Sequence, residues 1–62
     1  MLDGYKAIAA HIAAKYELSY DASTVRGWKN RRALPVSHAL RKVFIAPAVF
    51  DRWFEKTILQ RS

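Results

Sequence analysis

Asp21 is a strong helix-start residue and Leu34-Pro35 a strong stop, so a short helix is confined between them. That helix can carry no acid of its own. Between Asp21 and Asp51 the chain has no acidic residue, yet it holds Arg26, Lys29, Arg31, Arg32, Arg41 and Lys42. A basic, acid-free helix suits a DNA-reading element. Positive charge attracts phosphates, and short polar side chains reach base edges.

The chain has 62 residues, which predicts a single domain spanning 1–62. A domain this short buries roughly 60% of the surface its unfolded chain exposes. It has no Cys, which excludes a disulfide staple and a thiolate metal site. The core must therefore come from aliphatics and from two Trp, three Phe and three Tyr. The net charge of +6 favours a polyanionic partner, either nucleic acid or an anionic membrane surface. No apolar run approaches the ~20 residues of a membrane-spanning helix. Acid at Asp3 and the lack of a long apolar core argue against a signal peptide. A cytoplasmic location is expected.

Three helical patterns are present. Tyr5, Ile8, Ala9, Ile12, Ala13 and Tyr16 share one face of a first helix running from about Asp3, its expected N-cap, to Tyr16. Leu18 is the expected apolar plug of the turn that follows. A second helix runs from Asp21 to about Arg31, with Val25 and Trp28 inward and Ser23, Arg26, Lys29 and Asn30 outward. Gly27 weakens that helix, which suggests a partner or another helix close by. Pro47 introduces a third helix, with Phe50, Trp53, Phe54 and Ile58 inward and Asp51, Arg52, Glu55 and Lys56 facing water. Fraying is expected at Gln60–Ser62.

Residues 34–46 admit two readings. Leu34–Val36 and Val43–Ile45 can be strands of a small hairpin joined by Ser37–Lys42. Alternatively, Val36, Ala39, Leu40, Val43 and Phe44 have helical spacing with Ser37 as a cap. The lack of Gly and Asn in the turn counts against a tight hairpin. The fold class expected is mostly α with a small β-hairpin; the alternative is an all-α helix-turn-helix bundle.

The phrase Ser23-Thr24-Val25-Arg26-Gly27-Trp28, then Leu34-Pro35, then Val43–Ile45 and Pro47 to Phe54, resembles the MerR-like and excisionase-like winged helix-turn-helix group. Phage terminase small subunit DNA-binding domains share these pieces. The resemblance spans about Ile8 to Lys56. Here the turn between the first two helices is longer than in that group, and neither it nor the expected wing tip contains Gly. The resemblance implies a second helix in the major groove. Arg26, Lys29 and Asn30 would read bases, while Ser23 and Thr24 would meet phosphate or base edges. Arg31 and Arg32 would hold the backbone, and His38, Arg41 and Lys42 on the wing would reach a minor groove or phosphate.

The function implied is a transcription regulator or an excisionase-like directionality factor of a phage or mobile element. The partners implied are double-stranded DNA, further copies assembled on DNA, and an integrase or other phage protein. The alternative is the DNA-recognition module of a phage packaging assembly. A membrane-surface binder fits less well, because the cations do not lie along one continuous amphipathic helix. Trp28 and Trp53 are expected in the core rather than stacked on a ligand. His11 is expected on the surface. Neither His11 nor His38 has a second ligand at metal spacing, and no motif arranges a nucleophile, so no metal, cofactor or enzymatic activity is expected.

Overall fold

Among the described residues six elements form, in the order β1 (Leu2–Asp3), α1 (Tyr5–Tyr16), α2 (Ala22–Arg31), β2 (Ser37–Ala39), β3 (Lys42–Ile45) and α3 (Pro47–Thr57). The computed structural model describes residues 1–60. The architecture is α+β: three helices on a three-stranded antiparallel sheet of order β1-β3-β2. Leu2 pairs with Ile45 and Asp3 with Phe44, while Ser37, His38 and Ala39 pair with Phe44, Val43 and Lys42.

The first helix starts later than its sequence suggests. Asp3 is not an N-cap; it is drawn into β1 by pairing with β3. Gly4 takes the cap position at φ 90°, a conformation only glycine adopts freely. Its amide donates to the Val43 carbonyl at 2.8 Å, and its carbonyl accepts from the Ile8 amide at 3.2 Å. One residue thus ends a strand, opens a helix and ties both to β3. Ile8 and Ile12 are fully buried, with Tyr5, Ala9 and Tyr16 packed around them. Ala13, expected inward, is exposed.

The two later helices begin where their signals stand, α2 behind Asp21 and α3 at Pro47. Residues 37–45 form the hairpin, not the helical alternative. The first strand lies at Ser37–Ala39 rather than Leu34–Val36, because Leu34 is claimed by the core. Leu40 and Arg41 make a two-residue turn with both φ values positive, 50° and 67°. That is the tight geometry that Asn and Gly favour, adopted here without either.

Phe54 holds the helices together. Its ring lies 4.8 Å from Tyr16 of α1, 5.8 Å from Trp28 of α2 and 5.3 Å from Phe50 one turn earlier on α3. Tyr20 in the α1–α2 turn meets both Trp28 and Phe54 edge-on, and Leu18 packs on the same core. Val25, Leu34 and Ile45 complete the buried set. The tail expected to fray at Gln60–Ser62 lies, for Arg61 and Ser62, outside the described residues.

Ala33 follows the end of α2 at φ 54°, left-handed backbone where glycine is the usual residue. Ala33→Gly is expected to stabilise the fold by about 0.5–1 kcal/mol, a rise in Tm of a few degrees. Thermal denaturation followed by circular dichroism checks this, and a lower Tm would contradict it.

Candidate nucleic-acid interface

The basic helix is fixed at both ends by side chains. At its start, the Asp21 carboxylate accepts from the Thr24 amide at 2.8 Å and from the Thr24 hydroxyl at 2.6 Å. The hydroxyl first, then the amide, hold the Asp21 carboxyl below the usual carboxylate range. At its end, the Arg32 and Leu34 amides turn back onto the Trp28 carbonyl. The indole Nε1 of Trp53 donates to the Arg32 carbonyl at 3.2 Å, so α3 clamps the end of α2.

Burial of Val25, with Trp28 packed on the same core, sets the rotation of α2. Ser23, Thr24, Arg26, Asn30 and Arg31 are exposed as a result, and Arg32 is exposed at the C-cap. Lys29, placed outward by the sequence reading, is only half-exposed. It stands four residues after Val25 and so lies on the inner edge of the helix. Thr24 spends both its donors on Asp21, which leaves its hydroxyl oxygen as an acceptor. Among the described residues, Ser23 makes no side-chain hydrogen bond.

His38, Arg41 and Lys42 are exposed on the hairpin, with Arg41 in the turn itself. Leu40 beside it is 94% exposed, the most exposed large apolar side chain described. Sequence reading missed Leu40. No local sequence signal places it there: the pairing of Ala39 with Lys42 in the sheet leaves Leu40 and Arg41 for the tip. The ten candidate residues therefore fall into two groups, seven at α2 and three on the hairpin. Among the described residues, no hydrogen bond or ion pair joins the groups.

Two acids of α3 are engaged across the fold, while Asp3 and Glu17 are exposed and Asp3 lines a surface hollow with Arg41 and Lys42. Asp51 and Glu55, expected to face water from α3, turn toward α1. His11 Nε2 donates to Asp51 at 2.7 Å, and the Lys15 ammonium donates to its other oxygen. The Tyr16 hydroxyl donates to Glu55 at 2.8 Å. His11, expected on the surface, is half-buried at this seam and meets the Phe50 ring edge-on. Burial, and then the bond to Glu55, raise the Tyr16 phenol well above its ordinary value. Burial of Asp51 opposes its ionisation, but the bonds from Lys15 and His11 outweigh it and hold the carboxyl below the usual range.

Among the described residues, the ion pairs are His11–Asp51 and Lys15–Asp51, and none involves Arg26, Lys29, Arg31, Arg32, Arg41 or Lys42. Lys6, Arg52 and Lys56 are exposed and outside those pairs as well. No group of three or more His, Cys, Asp or Glu gathers among the described residues, and none of their helices is long and apolar enough to cross a membrane. Comparison with protein-family models, curated proteins and solved structures gives no match.

A carboxyl whose folded pKa lies below its unfolded value, about 3.9 for Asp, stabilises the fold above that value. The contribution is lost as pH falls through the folded pKa. Asp51→Asn is therefore expected to cost about 1–2 kcal/mol at neutral pH and progressively less in acid. Melts of both proteins from about pH 7 down to about pH 2 check this. Asp21 is common to both, so the difference isolates Asp51. A gap that does not change with pH would remove the charged seam as its cause.

Proposed function

We propose that this chain is a sequence-specific double-stranded DNA-binding protein in which α2 enters the major groove and the β2–β3 hairpin serves as a wing. The observation that carries the reading is the separation of charge. The cations of α2 and the hairpin are without ion-pair partners among the described residues, while Asp51 and Glu55 are engaged at the α1–α3 seam. A cation held in no ion pair gives up little when it meets a phosphate, and the counterions it displaces drive binding. On the hairpin side the exposed Asp3 shares a surface hollow with Arg41 and Lys42 without pairing to them.

Arg26 and Asn30 are the base readers in this reading, through guanine O6/N7 and adenine N6/N7. Ser23 adds a short polar contact at the helix start. Thr24 acts as an acceptor, because Asp21 takes its donors. Lys29 on the inner edge, Arg31 and Arg32 hold the backbone, and His38, Arg41 and Lys42 anchor the hairpin. The sequence resemblance to MerR-like and excisionase-like winged helix-turn-helix proteins supports the same division of labour. It suggests a cytoplasmic regulator or excisionase-like factor of a phage or mobile element, acting in several copies on one DNA.

Selection of bound duplexes from a random pool tests the reading, with recovery of a defined sequence as the expected result. No enrichment would refute sequence-specific recognition. On the selected site, Arg26→Ala is expected to cost about 1–3 kcal/mol at one base position. Equal losses on selected and random duplexes would remove its base-reading role. The double change Arg41→Ala with Lys42→Ala is expected to flatten the dependence of log K on log salt by about 1–2. An unchanged slope would mean that the hairpin does not touch phosphate.

A further inference from the structure

Gly27 stands in the middle of α2, where a glycine weakens the helix relative to alanine. Two structural reasons could require it, and neither applies. Its backbone is helical and it is absent from the positive-φ residues, unlike Gly4. A Cβ built on it would meet nothing within 4 Å, so no other part of the fold approaches. The crowding that would explain this glycine is not intramolecular.

What surrounds Gly27 identifies the surface. Ser23 lies one turn before it, Asn30 and Arg31 one turn after it, and Arg26 beside it, all four exposed. Arg26, Arg31 and Asn30 carry donors suited to groove edges and phosphates. We propose that Gly27 is a specificity-determining position at which the bare α2 backbone settles against base edges on the floor of a DNA major groove. This rests on the DNA-binding reading above and adds a residue to it. The second helix of a helix-turn-helix lies in the major groove and meets base edges with the residues of its N-terminal part. Ser23 to Arg26 lie in that part of α2, and Gly27 directly follows them. Hydrogen bonds to base edges tolerate only a few tenths of an ångström. A methyl group between backbone and bases would lift Arg26 and Asn30 out of range together. The open space over Gly27 also fits an apolar base-edge group, the C5-methyl of thymine.

The test compares the full chain and Gly27→Ala on the duplex selected by the unaltered chain and on a scrambled duplex of equal length. Thermal melts of both proteins accompany it. Gly27→Ala is expected to raise Tm while lowering affinity for the selected duplex by about tenfold or more. Affinity for the scrambled duplex, held through phosphates, is expected to change little. Undiminished affinity for the selected duplex overturns the proposal. So does an equal loss on both duplexes, which would place the helix against phosphates rather than bases. A lower Tm also overturns it, because the space over Gly27 would then be occupied within the fold. If the unaltered chain selects no sequence, the DNA reading fails and this proposal with it. If it selects one and Gly27→Ala binds that site equally well, this proposal alone fails.

Discussion

The Phe54 ring is the point through which the three helices communicate. Tyr16, Tyr20, Trp28 and Phe50 all pack against it, and they come from α1, the α1–α2 turn, α2 and α3. In a chain this short, large rings join the buried aliphatics Ile8, Ile12, Val25, Leu34 and Ile45 in supplying the core. The orientation of α2 depends on that centre. Trp28 and Val25 face it, and the polar and basic residues are left outside.

The second organising fact is where charge is spent. Packing of α3 against α1 commits Asp51 to His11 and to the exposed Lys15, and Glu55 to Tyr16. The residual field of the chain is set by this packing as much as by its composition. The acids engaged at the α1–α3 seam thus leave the cations of α2 and the hairpin without ion-pair partners among the described residues.

Signals of short range in the sequence were legible. Asp21 and Pro47 mark two helix starts because a cap or a first-turn proline acts on its own neighbours. The rotation of α2 was mostly legible from Val25 and Trp28, with Lys29 misplaced because periodicity does not resolve the edge of a buried face. Long-range events were hidden. Asp3 looks like a cap until β3 is there to pair with it. The Leu40–Arg41 turn lacks the residues that announce such turns, so its register follows from the sheet and not from local chemistry. The bond between His11 and Asp51 joins residues 40 apart, beyond any helical or strand period.

The bond from Trp53 to the Arg32 carbonyl joins the rear of α2 to α3, and the two indoles of the chain lie 5.8 Å apart at that junction. Both of the chain's strong fluorophores thus sit behind the exposed face of one helix, with a ring nitrogen of one tied to that helix's last turn. Displacement of that turn would alter the surroundings of Trp53 and the coupling between the rings. The emission spectrum of the unlabelled protein is consequently a built-in gauge of the position of α2.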